Sequence, residues 1–161
     1  MKLKEFFFTG FYSGYIPVAP GTAGTVVGML LYMLAGRFAG EWLSGFIPLI
    51  GLIAAFYPST LICGWGELFF GRKDPGPVVW DEIFGYWVTM LFVPYNWKTA
   101  FIGFALFRLM DIIKPVPAFQ LQRLKGGLGI LIDDVIAGIY ACLVLHLIIY
   151  LLKLANINIL Q

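Results

Sequence analysis

Asp81 and Glu82 stand side by side in VVWDEIFG, residues 78 to 85, among apolar and aromatic neighbours, with no basic residue nearer than Lys73 or Lys98. A second pair stands at Asp133 and Asp134, a single acid at Asp111, and Asp74 precedes the first pair. Carboxylates without histidine or thiolate partners offer oxygen ligands only. That donor set suits a hard cation such as Mg²⁺, which keeps several waters and is commonly completed by phosphate. Arg108, Lys114, Arg123 and Lys125 can supply positive charge to an anionic ligand. Arg108, Asp111 and Lys114 recur at intervals of three and so project from one side of a helix; a local ion-pair ladder would use the same spacing. In APGTAGT, residues 19 to 25, Thr22 and Thr25 join two glycines at a helix start, where free N–H groups and hydroxyls can hold a phosphate or simply cap the helix. No Gly-Lys-Ser/Thr follows, so this is not a Walker A motif. KGGLGILIDD, residues 125 to 134, reads as flexible glycines leading into a helix whose first turn carries Asp133 and Asp134. Plain turn geometry or close helix packing would use those glycines equally well. The helix dipole alone could account for Asp81, Asp133 and Asp134 at helix N-termini, but it opposes a charge such as Asp111 near a C-terminal end.

The elements that must position these groups are membrane elements. Of 161 residues 60% are hydrophobic and only 12% charged, which points to an integral membrane protein, and the length allows one domain over residues 1–161. A net charge of +2 gives no footprint for nucleic acid. Cys63 and Cys142 lie in apolar runs without ligand spacing and read as packing residues, and His146 in the last helix reads as a structural or outer-face residue. The N-terminal Met1-Lys-Leu-Lys and the phenylalanines after it imitate a signal peptide, but Gly10, Gly14, Pro17 and Pro20 interrupt the apolar run, so the segment is expected to remain in the mature chain.

Helices are expected over residues 23 to 38, 43 to 65 and 133 to 154, with a loop over 66 to 77 and a polar loop, holding at most a short interfacial helix, over 114 to 130. Residues 82 to 113 form either one kinked helix or a hairpin of 82–93 and 97–113, because Pro94-Tyr95-Asn96 interrupts them. A continuous helix would hold Asp81 about 45 Å from Asp111, whereas the hairpin brings them back to one side. With five segments and the N-terminus inside, Lys2, Lys4, Arg72, Lys73, Lys114, Arg123 and Lys125 face the cytoplasm, against Arg37, Lys98 and Lys153 outside, as the positive-inside rule favours. Residues 82–93 would span only about 18 Å, so the hairpin is expected to enter the membrane without fully crossing it. The fold class is thus all-α, a membrane bundle of about four to five short transmembrane or re-entrant helices.

VAPGTAGT, DPGPVVWDEIFG, FRLMDIIKPVP and GGLGILIDDVIAG, in this order between about residues 10 and 150, resemble the successive motifs of the phosphatidylglycerophosphatase A family. The resemblance implies an all-helical bundle in the bacterial inner membrane and Mg²⁺-dependent hydrolysis of a membrane lipid, phosphatidylglycerophosphate, at the cytoplasmic face. It also implies that Asp81, Glu82, Asp111, Asp133 and Asp134 form the catalytic and metal-binding set. Thr22, Thr25, Arg108 and Lys114 would meet the phosphate, with Asp74 a secondary candidate. One carboxylate would activate water or attack phosphorus itself. A small cation transporter using the same acids is the rival reading, and it requires carboxylates distributed through the depth of the membrane. Histidine-dependent lipid phosphatases need two catalytic histidines and this chain has one. No DxDx[TV] signature is present, and nothing in the sequence specifies an oligomeric state.

Overall fold

A computed structural model describes residues 2 to 157. Its helices are α1 (Lys2–Phe8), α2 (Pro20–Ala39), α3 (Phe46–Phe70), α4 (Trp80–Thr89), α5 (Trp97–Ile113), α6 (Ala118–Leu121) and α7 (Gly127–Leu154), with 3-10 turns at Ser13–Tyr15 and Gly40–Ser44 and no strand among the described residues. Pro20 occupies the first turn of α2, where its missing N–H costs nothing. Gly71, in the left-handed conformation, ends α3, and the Asn96 side chain accepts the Lys98 N–H at 2.8 Å to open α5.

Three stretches, Pro20–Ser44, Phe46–Phe70 and Gly127–Leu154, are long and apolar enough to cross a membrane. Their outer faces carry bare hydrocarbon, as at Ile53 and Leu143. The short α4 sits among them, with Ile83, Phe84, Tyr86 and Val88 buried. It packs against α2, α3, α5 and α7.

The hairpin is the topology found. Gly85 lies against Phe107 and Gly103 against Met90, so α4 and α5 run antiparallel, and Tyr86 Oη donates across to Ala100 O at 3.0 Å. The helix of 82–93 is shorter than its apolar run and ends at Thr89, after which the chain continues without regular structure to Asn96, with Phe92 at φ 59°. Irregular backbone at membrane depth survives only where protein groups satisfy it. Cys142 Sγ donates to Leu91 O at 3.4 Å, His146 Nε2 lies 3.3 Å from Phe92 O, and Thr99 Oγ1 donates to Pro94 O at 3.2 Å. Cys142 and His146 are therefore structural, as their apolar setting suggests.

Two further differences from the expected boundaries bear on the acids. α3 continues to Phe70, so Glu67 is helical rather than part of a 66–77 loop. α7 begins at Gly127, six residues before Asp133, so the acid pair lies beyond the first turn, where the dipole effect has faded. Gly126 is the N-cap at φ 68°, while Gly127 and Gly129 are already helical where α7 starts in tight contact with α3: a Cβ at Gly127 would overlap Thr60 O and Gly64 N.

A second tight helix crossing joins α4 to α7. A Cβ at Gly138 would overlap Gly85 O, and one at Gly85 would meet Asp134 O at 2.8 Å. Gly138→Ala is expected to cost about 1–3 kcal/mol of stability as an overpacking change. Gly51→Ala, at a position where nothing lies within 4 Å of the added carbon, should cost nothing. Thermal unfolding of both variants in the same detergent checks the difference.

Candidate active site

The α4–α7 crossing sets the acids. Asp81 and Glu82 occupy the first turn of α4, about one turn from Gly85, and Asp134 lies about one turn from Gly138. One carboxylate oxygen from each of Asp81, Glu82 and Asp134 falls within 4.8 Å of the others. Asp111, brought back by α5, adjoins Asp134. The first turn of α2 closes the remaining side: a Cβ at Gly21 would overlap Glu82 Oε1 and stand 3.1 Å from Arg108 Nη1.

Arg108 ties three elements together. Its Nη1 lies 2.6 Å from Asp111 Oδ2 and donates to Thr25 Oγ1 at 3.4 Å, while the Thr25 hydroxyl donates back to Gly21 O at 2.8 Å. Thr22 is half-buried in the same turn of α2. Lys114 departs from the expected stripe. As the C-cap of α5 it takes φ 48°, and its ammonium turns across to Asp133, with a second bond to Gln122 Oε1 at 3.2 Å. Asp74 stays outside the three-oxygen group. It lies in a loop at φ 44° and lines a shallow recess with Lys73, Gln122 and Arg123.

Charge balance is the unusual feature. Asp81 Oδ1, Glu82 Oε2, Asp133 Oδ1 and Asp134 Oδ2 are buried and have no hydrogen-bond partner, and Arg108 Nε is likewise unpaired. Buried polar atoms are normally satisfied, so a cluster of orphaned carboxylate oxygens points to a missing cation or ligand. Burial, then the charges of Glu82 and Asp134, raises Asp81 well above the usual carboxyl range. Burial also pushes Glu82 up to about 7, with the Asp81 hydrogen bond opposing and Asp111 adding to the rise. On Lys114 burial acts downward, but the Asp133 carboxylate outweighs it and holds the ammonium above its ordinary value. The arrangement can therefore accept a hard cation among Asp81, Glu82 and Asp134 while presenting Arg108 to an anion.

Two features escape sequence reading. Glu67 on α3 also buries an unpartnered carboxylate oxygen, and its position in a polar-looking stretch disguised it as a loop residue. The Lys114–Asp133 bond spans 19 positions, so no local periodicity announces it.

A protein-family model described as Phosphatidylglycerophosphatase A matches residues 6–149. A Bacteroides thetaiotaomicron protein named "Putative phosphatidylinositol-3-phosphatase" is 39% identical over 141 residues, covering 83% of this chain and 85% of the relative. Proteins named "Phosphatidylglycerophosphatase A" are 34% identical in Escherichia coli, covering 86% of this chain and 79% of the relative, and 38% identical in Haemophilus influenzae, covering 88% and 85%. No solved structure matches the chain significantly.

The Lys114–Asp133 pair yields a stability test. Removing the ammonium strands a buried carboxylate, so Lys114→Met should cost about 1–3 kcal/mol. Adding Asp133→Asn should restore most of that loss. Unfolding of the two single variants and the double variant measures the coupling; simple additivity would mean the bond contributes nothing.

Proposed function

This chain belongs to the phosphatidylglycerophosphatase A family, and on that premise we propose that it hydrolyses phosphatidylglycerophosphate to phosphatidylglycerol and phosphate, using Mg²⁺, at the cytoplasmic face of the bacterial inner membrane. The observation that carries this reading is the convergence of Asp81, Glu82 and Asp134, from helices remote in sequence, within reach of Arg108.

The donor set fits the ion. Three carboxylate groups with buried, unpartnered oxygens, and no nitrogen or sulfur ligand beside them among the described residues, match the preference of Mg²⁺ for oxygen. Asp81, Glu82 and Asp134 would hold it, with Asp111 beside them. Bound there, Mg²⁺ supplies charge neutralisation at the phosphoryl oxygens.

The chain's own residues do the rest. The Arg108 guanidinium, fixed by Asp111 and Thr25, orients the phosphate and offsets charge developing on it. Thr22 and the N-terminal turn of α2 add hydroxyl and N–H donors on the same side, while Thr25, its hydroxyl proton committed to Gly21 O, steadies Arg108. Lys114 holds Asp133 in place and contributes positive charge at the rim. Burial of the acids excludes bulk water, which strengthens each of these interactions.

The orientation follows from the end of the bundle at which the acids gather. Lys2, Lys4, Arg72, Lys73, Lys114, Arg123 and Lys125 belong to that end, while Arg37, Lys98 and Lys153 belong to the opposite helix ends. The positive-inside rule then turns the site toward the cytoplasm. A lipid phosphate at that interface reaches the acids with its acyl chains still in the bilayer. Convergence at one end also leaves the cation-transporter reading without its row of carboxylates through the membrane.

Purified protein is expected to release phosphate from phosphatidylglycerophosphate in Mg²⁺ and not in EDTA, and to act more slowly on phosphatidylinositol 3-phosphate. The reverse preference would move the substrate assignment to the phosphoinositide. Asp81→Asn and Asp134→Asn should each abolish turnover without lowering the melting temperature, since each relieves repulsion within the cluster. Asp111→Asn should abolish turnover and lower the melting temperature, since it also breaks the ion pair with Arg108. Any variant with residual activity should need more Mg²⁺ for its half-maximal rate. Full activity with unchanged Mg²⁺ dependence in all three would refute the site.

Arg108→Lys keeps the charge but loses the planar fork that spans Asp111, Thr25 and the phosphate. Turnover should fall about tenfold to a hundredfold, the equivalent of one charge-assisted hydrogen bond. Wild-type kinetics in a well-folded variant would reduce Arg108 to a strut between helices.

A further inference from the structure

Between α3 and α7 lies an apolar groove of about 530 Å³. Leu52, Ile53 and Phe56 of α3 form one wall, Ile139 of α7 stands on the other, and Phe84 and Val88 of α4 form the floor. α3 and α7 meet tightly where Gly127 packs on Thr60 and Gly64, and the groove occupies the stretch beyond that contact. Both walls belong to helices able to span a membrane, and Ile53 and Ile139 are 68% and 44% exposed. The medium at the groove's mouth is therefore bilayer hydrocarbon.

The groove is also aligned with the acids. Asp81, Phe84 and Val88 stand at i, i+3 and i+7 on one face of α4, and Val135, another lining residue, directly follows Asp134. Its floor thus starts about one helical turn from the carboxylates and runs away from them along α4.

We propose that this groove seats one acyl chain of the phospholipid substrate and so aims its headgroup at Asp81, Glu82 and Asp134. The inference rests on the lipid-phosphatase reading above. A chain leaving bulk lipid for an apolar groove gains no hydrophobic free energy, because both surroundings are hydrocarbon. The gain is positional: a seated chain restricts where the phosphate can lie, as any orienting contact does for a reacting group. Chain-bearing substrates benefit and a headgroup without chains does not.

Ile53→Trp and Ile139→Trp fill the groove from opposite walls, at positions away from the acids. The measurement is kcat/KM for dioleoyl phosphatidylglycerophosphate in mixed micelles and for its deacylated, water-soluble counterpart. The ratio of the two values is expected to fall about tenfold in each variant relative to the unmodified protein. An unchanged ratio in both variants, or a loss shared equally by the two substrates, would overturn the acyl slot and leave a groove filled by ordinary membrane lipid. An unmodified protein inert toward both substrates would overturn the lipid-phosphatase reading itself, and the slot with it.

Discussion

The backbone contact between Gly85 and Gly138 is the constraint on which the site depends. It lets α4 approach α7 more closely than any side chain at either position would allow. That approach places the first turn of α4 beside Asp134. It also gives α4, only 10 residues long, an interior position among longer helices. Wider spacing would separate the Asp81–Glu82 pair from Asp134 and open the irregular segment after Thr89 to hydrocarbon. Site geometry and membrane compatibility therefore have one origin.

The same packing creates an electrostatic problem that the fold only partly relieves. Arg108 is committed to Asp111 and Thr25, and Lys114 to Asp133 and Gln122, so Asp81, Glu82 and Asp134 make no ion pair with a basic side chain among the described residues. Buried like charges oppose one another, and burial already raises Asp81 and Glu82. A fold selected for stability alone would remove such groups. Their presence marks the place where local consistency yields to function.

Hydropathy and turn residues made the five main helices legible, and α5 begins and ends where its sequence suggests, between Asn96 and the turn before Pro115. The hairpin was legible because Asp81 and Asp111 could not otherwise share a face. The start of α7 was not, since Gly126, Gly127 and Gly129 have the composition of a loop, and it is the contact of Gly127 with α3 that accounts for a helix starting there. Glu67 was hidden for a related reason: Gly71, rather than Gly66, is the stop signal of α3. Asp81, Glu82 and Asp134 were each visible as unusual acids in apolar surroundings. Their mutual distance, the Lys114–Asp133 bond and the partners of Cys142 and His146 are tertiary facts that no local pattern encodes.

The broken segment after α4 also constrains how the protein is made. A ten-residue helix is far shorter than the roughly 20 residues that partition independently into a bilayer. The carbonyls of Leu91 and Phe92 find their partners on α7, which emerges from the ribosome later. The α4–α5 hairpin therefore cannot reach its final depth as an autonomous insertion unit. Its settling must await synthesis of α7, so the clustered acids are brought together only after that helix has been made.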